Sequence, residues 1–265
     1  MKRILISALA LTMFVTGCTS LKMAVSEDLK PAYDEYNVKG RQGILIKQKM
    51  SFGEFSTDRV RRSWTKGNSM KFGLGYISGE QQEWVNIIST EYINRKQTIR
   101  YELSDGQNHS QVFAVSRFSS KDLEIGKNPN SVLNIGMDIF GIGYKSSSMF
   151  YVQIFASEKD NRPWEMAIDN EASQATPKKY IGYLAKGRND YYSIVPVTKA
   201  DIKGKTGNIL AGSIGFEFRD KEGKTKAAVS LIDKGMVYMG RTTTAERFLL
   251  ANACTALLLQ EQIGD

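Results

Sequence analysis

Short runs of alternating apolar and polar residues, broken about every ten positions by clusters of Gly, Asn, Asp and Ser, fill the sequence from residue 43 onward. A period of two places successive side chains on opposite faces of a strand, so this pattern commits the chain to a mainly β fold. In GILIKQKMSF (43–52), Ile44, Ile46, Met50 and Phe52 share one parity, interrupted by Gln48. Ile99, Tyr101 and Leu103 alternate with polar residues before the turn cluster SDGQN (104–108), and VFAVSRF follows. KYIGYLA (179–185) and DYYSIVPV (190–197) flank KGRN, and RDKEGK (219–224) joins SIGFEF to KAAVSLI. Strands at this density predict an antiparallel β-sandwich or barrel. The run SVLNIGMDIF (131–140) suits a helix as well as a strand.

The sequence also nearly repeats itself. FGLGY (72–76) returns as FGIGY (140–144), and WVNIISTEYINR (84–95) aligns with YVQIFASEKDNR (151–162). A weaker third copy pairs SIGFEF (213–218) with AVSLID (228–233). Recurrence of a glycine-bearing strand, a turn and a Val-x-Ile strand predicts internal pseudo-repeats. In each FGxGY run the aromatic and aliphatic residues share one face and the glycines leave the other bare. The glycines are not a nucleotide loop. Ser78 and Ser146 stand where the third glycine of a dinucleotide fingerprint belongs, and Ile142-Gly143 follow Gly141 where a phosphate loop needs Lys and Ser or Thr. A bare strand face admits a close backbone neighbour or a small ligand.

One helix is legible, at the carboxyl end. TTAE (243–246) forms a capping box, and Phe248, Leu249, Ala253, Ala256, Leu257 and Ile263 then recur at helical spacing. Leu250, Leu258 and Leu259 widen the stripe until it exceeds one face, which predicts a helix over about 244–263 buried on more than one side. Its cover is either the chain's own sheet or a second copy, giving a homo-oligomer through this helix.

The amino terminus has a different character. Lys2 and Arg3 precede the apolar run Ile4 to Val15, and Thr16-Gly17 lead to Cys18, the layout of a secretory signal peptide. Its 12 residues fall short of the roughly 20 that span a bilayer. VTGC (15–18) resembles the lipobox of bacterial lipoproteins, with Val15 for the usual Leu and Thr16 for Ala or Ser. The resemblance covers residues 1–20. It implies signal cleavage between Gly17 and Cys18, diacylglycerol on the Cys18 sulfur, and an amide-linked acyl chain such as palmitate. Several acyl chains hold a protein to a bilayer where one binds reversibly. Thr19, rather than Asp, implies the outer membrane for such a lipoprotein. The chain then divides into a signal peptide (1–17), a lipidated tether (18–40) without sustained periodicity, and a single β-rich domain (41–265).

Loss of residues 1–17 removes Lys2 and Arg3 and no acidic residue, so the formal charge falls from +8 to +6. A modest basic excess suits anionic lipid headgroups or acidic envelope polymers. No block of five like charges marks a nucleic-acid tail, and RVRR (59–62) is the densest basic cluster. With Cys18 acylated, Cys254 is the one remaining thiol, which excludes an internal disulfide or a cysteine metal cluster.

The residues point to no catalytic set, metal or cofactor. His109 is the single histidine and lies in an expected hairpin turn. SWTK (63–66), SDG (104–106) and KTG (205–207) resemble the motif series of the penicillin-recognising serine enzymes, where Ser63 would be the nucleophile and Lys66 its proton acceptor. The setting disagrees: Gly67 and Asn68 break any helix after SWTK, and DIKGKTGN reads as a loop. Glu158, Asp160 and Glu165 flank a turn without calcium-loop spacing and read as a solvated loop. The expectation is a lipid-anchored cell-envelope protein acting as a binding or scaffolding module, partnered by the membrane and an envelope protein or anionic polymer. The alternatives are an envelope glycan hydrolase using Asp and Glu carboxylates, and a small-ligand carrier.

Overall fold

The computed structural model describes residues 21–41, 48–58, 60–64, 72–76, 85–90, 97–118, 148–157, 162–202, 204–209 and 212–260. The signal segment, Cys18, the first half of the run 43–52, the ambiguous run 131–140 and the second glycine strand, FGIGY, lie outside them.

In chain order the strands are β1 (Lys22–Met23), β2 (Tyr33–Asn37), β3 (Ser51–Phe52), β4 (Phe55–Thr57), β5 (Arg61–Trp64), β6 (Phe72–Tyr76), β7 (Val85–Thr90), β8 (Gln97–Ser104), β9 (His109–Phe118), β10 (Met149–Phe155) and β11 (Trp164–Asp169). A short helix α1 (Asn170–Ala175) follows, then β12 (Gly182–Gly187), β13 (Asp190–Val197), β14 (Lys199–Ile202), β15 (Lys205–Asn208), β16 (Gly215–Arg219), β17 (Thr225–Ser230), β18 (Met236–Gly240) and α2 (Thr244–Leu259). The first glycine motif, FGLGY, is β6, and it pairs with the Val-x-Ile strand β7 as a separate hairpin. SIGFEF and AVSLID likewise pair, as β16 with β17.

One antiparallel sheet dominates, in the order β2-β18-β17-β16-β13-β12-β11-β10-β9-β8-β4-β3. β5 continues the line of β4 along the same neighbour, β8. The two ends of this path meet. Lys39, just past β2, exchanges both backbone hydrogen bonds with Ser51 of β3, at 2.9 and 3.0 Å. That single bridge brings the sheet nearly to closure, which leaves little of the exposed edge of an open sheet. Of the two predicted architectures, a nearly closed, barrel-like sheet forms.

Alternation decides which residues fill it. Ile99, Tyr101 and Leu103 on β8, Phe150, Val152 and Ile154 on β10, and Phe216 and Phe218 on β16 all join one buried cluster with α2. Arg100 and Glu102 on β8 take the other face and are exposed. Every residue of α2 from Phe248 to Leu259 is 4% exposed or less, so the helix is covered all round and occupies the barrel lumen. This explains why its apolar stripe exceeds one face. Of the two covers expected for the helix, the chain's own sheet is the one that the described residues supply. The helix ends at Leu259, and residues 261–265, including Ile263, lie outside the described residues.

Polar contacts set the helix in register with the wall. Thr243 Oγ1 accepts from the Glu246 amide at 3.3 Å, the first half of the expected capping box, while the Glu246 carboxylate accepts from the Tyr192 hydroxyl at 3.0 Å. Midway, the fully buried Asn252 accepts at its carbonyl from Tyr101 Oη (2.8 Å) and at Oδ1 from Ser110 Oγ (2.6 Å). Its amide donates to Phe248 O at 2.8 Å. Burial holds the Tyr101 phenol well above its ordinary value, so it remains a donor. At the carboxyl end Arg41 donates to Leu258 O (3.1 Å), a last-turn helix carbonyl, and to Leu231 O (2.8 Å) and Asp233 O (3.0 Å) in the β17–β18 turn, which ties the helix end to the wall. At the amino end Arg247 joins Glu54 (2.9 Å) and Asp34 (2.7 Å) across the barrel seam.

Candidate functional site

Residues 21–32 carry the main departure from the sequence reading. The expected tether, 18–40, is structured from residue 21: it crosses the outer face of the barrel as a strap, forming β1 and then β2. The reason is local chemistry without periodicity. Met23 and Leu29 are isolated in sequence, yet each is buried, packed with Val197, Ala228 and Tyr238 on the outward faces of β13, β17 and β18. Burial of each such side chain contributes about 1.5–3 kcal/mol, enough to hold a short segment that has no helix or sheet pattern of its own.

Polar locks complete the strap. The Ser26 amide donates to Glu217 Oε1 at 2.9 Å, and the Ser26 hydroxyl donates to Thr225 Oγ1 at 2.9 Å. The Thr225 amide donates to Asp28 Oδ2 at 2.6 Å. Glu217 is buried, and Arg219 donates to its second oxygen at 2.7 and 3.2 Å, so both carboxylate oxygens are engaged. Partial burial pushes the Asp28 carboxyl up, but hydrogen bonds from Ser26 and the Thr225 amide outweigh it and leave the group below its ordinary 3.8. Because the folded value is the depressed one, this stabilisation is complete above the ordinary value and is lost as pH falls through the lower folded value. Glu217→Gln is expected to loosen the strap by about 1–2 kcal/mol, given that Arg219 is partly exposed and screened. A glutamate-specific protease should then cut after the exposed Glu27 several-fold faster than in the parent, while the barrel's unfolding midpoint changes little.

The strap's first strand extends a small second sheet, β1-β14-β15. Its register sets Lys22 opposite Asp201 and Met23 opposite Ala200, while Ile202 faces Lys205 across the other edge. Three recesses surround it. One of about 330 Å³ lies between strap and hairpin, with Lys30, Lys199, Arg219, Glu27 and Glu217 in its wall. A second, of about 530 Å³, opens where the chain enters, walled by Leu21, Ile232, Lys234, Met236 and Tyr238. The third, of about 580 Å³, lies beyond β15 and includes Lys178, Lys179, Asn208 and Ile209.

The residues singled out from sequence are dispersed. Gly17 and Cys18 lie outside the described residues, four and three positions before the strap begins at Leu21. Ser63 is on β5, paired with Thr98, rather than at the start of a helix, and Lys66 lies outside the described residues. KTG (205–207) is strand β15 and not a loop, because Gly204 at φ +77° turns the chain back on β14. SDG is at the β8–β9 tip and His109 opens β9, exposed. Cys254 is fully buried in α2, and burial pushes its thiol far up, which suits a core residue and not a nucleophile. Glu165 is not on a solvated loop: it is buried on β11 and accepts from the Tyr151 hydroxyl. Glu158 and Asp160 lie outside the described residues. The basic cluster RVRR is divided, with Val60 buried and Arg62 donating to Gln48 at 3.1 Å.

The Glu217–Arg219 lock escaped the sequence reading. Its signal was available, since residues two apart on a strand share a face. No known protein family matches the chain, and neither a curated protein nor a solved structure is significantly similar to it.

Proposed function

We propose that this is a lipid-anchored cell-envelope protein, held by acyl chains on Cys18 at the outer membrane, whose barrel serves as a binding or scaffolding module. The observation that carries the reading is the order of charged start, apolar run, Gly17 and Cys18, followed almost at once by a strap fastened to the barrel. With three residues from Cys18 to Leu21, at most about 3.6 Å each, the strap's entry point lies within roughly 11 Å of the Cys18 backbone. The barrel would then ride on the membrane surface rather than at the end of a long leash.

The side-chain distribution agrees with a body outside the hydrocarbon. The described wall is apolar toward the lumen, where a large lipid-spanning barrel is polar, and β5 and β8 carry Arg61, Arg100 and Glu102 on exposed positions. No helix among the described residues is long and apolar enough to cross a membrane. The alternatives have less support. A carrier would most simply use the barrel interior, which α2 fills, and the buried carboxylates Glu165 and Glu217 are both engaged in hydrogen bonds within the chain.

Cys18→Ser is expected to abolish palmitate labelling and to shift the protein out of the detergent phase in a phase-separation extraction, a nearly complete change. Retention in the detergent phase without label would refute the anchor. Gentle crosslinking in whole envelopes tests the second half of the reading: recovery of the protein alone would argue against scaffolding.

A further inference from the structure

The strap and the barrel are built on two separate cores that share the same strands. On β17 and β18, Ala228 and Tyr238 face outward and pack with Met23, Leu29 and Val197, while their neighbours Ala227, Val229, Val237 and Met239 face the lumen and join the cluster of α2. The lumen cluster therefore loses none of its own side chains if the strap lifts. Residues 21–32 meet the wall through the β1–β14 pairing, the Ala24 amide on Lys199 O at 2.9 Å, the Ser26 and Asp28 locks, and the buried side chains of Met23 and Leu29. Further backbone bonds close within the strap itself, from the Leu29 and Lys30 amides to Ser26 O at 3.1 and 3.2 Å and from the Ala32 amide to Leu29 O at 3.3 Å. Beyond Ala32 the chain is held differently. β2 is laddered to β18 over 5 residues, from Tyr33 opposite Gly240 to Asn37 opposite Met236, and Asp34 is held by Arg247.

We propose that the strap is a releasable spacer, which lifts from the wall as one unit up to Tyr33 while the barrel stays folded. Segments with few buried apolar contacts open at lower cost than the whole molecule, and the strap has its own small core to give up. The ladder from Tyr33 onward marks where the lifting stops. Its sequence, LKMAVSEDLKPA, suits a freed state, because Lys22, Glu27, Asp28 and Lys30 keep the detached segment hydrated. Release also parts Lys22 from Glu35, a surface pair that contributes little. The consequence is a change of reach. Fastened, the barrel is mounted at Leu21, three residues from Cys18. Released, it hangs from Tyr33, and fifteen residues of at most about 3.6 Å each let it stand up to roughly 54 Å from the Cys18 backbone. The reach rests on the anchored reading, whereas the lifting does not.

Amide hydrogen exchange of the protein purified from envelopes reads the lifting directly. The Ala24 and Ser26 amides should exchange together, more slowly than an unstructured chain but at least about 100-fold faster than the amides of α2 from Leu250 to Ala253. Leu29→Ala should speed the Ala24 and Ser26 amides by more than about tenfold and leave the α2 amides within about twofold of the parent. Near-ultraviolet circular dichroism confirms that the variant is folded, and loss of fold shifts the test to Leu29→Val. Strap and α2 amides that exchange in one step, or that Leu29→Ala accelerates equally, would overturn the spacer, and so would a strap without protection in the parent. Neutron reflectometry of the acylated protein on a supported bilayer reads the reach. Leu29→Ala should thicken the protein layer by on the order of 10 Å, since a free fifteen-residue chain averages about 20 Å from end to end. An unchanged layer beside accelerated strap exchange would overturn the change of reach. A failed Cys18 labelling experiment would instead remove the anchored reading and leave the exchange result standing.

Discussion

Phe248→Ala is expected to lower the unfolding free energy by about 3–5 kcal/mol, visible as a large fall in the denaturant midpoint. Phe248 is 3% exposed, and its ring centroid lies 6.4 Å from that of Phe55 on the opposing wall. Removing it opens a cavity between helix and sheet that a nearly closed barrel cannot collapse around, because the wall strands are hydrogen-bonded on both sides. Natural domains hold only about 5–15 kcal/mol in total, so the loss is a large share. Leu21→Ala, at an exposed position, should change stability by no more than about 0.5 kcal/mol. If both substitutions had equally small effects, α2 would not be the filled core of the barrel.

Gly40→Ala tests the seam. Gly40 adopts φ +78°, and a Cβ there would lie 1.9 Å from the Lys49 carbonyl oxygen. Backbone cannot swing aside as a flexible side chain can, so the substitution must shift the chain next to the Lys39–Ser51 bridge that brings the sheet nearly to closure. The left-handed backbone and the displaced strand together are expected to cost about 3 kcal/mol. Hydrogen exchange should accelerate at the Lys39 and Ser51 amides more than at the β10–β11 ladder. Uniform acceleration across the barrel would mean that the seam is not a local weak point.

The parts of the fold that read easily from sequence are those whose instructions are local. SDGQN, KGRN and RDKEGK each join the strands they flank, since a turn's chemistry lies within a few residues. The carboxyl-terminal helix was legible from TTAE and its broad apolar stripe, and the breadth itself pointed to burial on several sides. Its location in the lumen was not legible, because that depends on Asn252 meeting Tyr101 and Ser110, some 150 residues away in sequence. The strap was misread for the same reason. Met23, Leu29, Ser26 and Asp28 have no period among themselves, and their partners at positions 197–238 are far along the chain. DIKGKTGN read as a loop because a hairpin this short and polar lacks alternation, although it pairs with β1 on its other edge.

For the candidate site the balance is reversed. Gly17 and Cys18 are legible only as a sequence motif and lie outside the described residues, whereas the strap's locks, such as the Ser26 amide on Glu217, exist only in three dimensions.

The account rests most heavily on what happens at Cys18, and intact-mass analysis of the amino-terminal peptide from envelope-purified protein tests it most directly. The expected peptide begins at Cys18, lacks residues 1–17, and carries the added mass of a thioether diacylglyceryl group and an amide-linked acyl chain. A peptide that retains residues 1–17, or begins elsewhere with an unmodified Cys18 thiol, would contradict the anchor and with it the orientation of the barrel on the membrane.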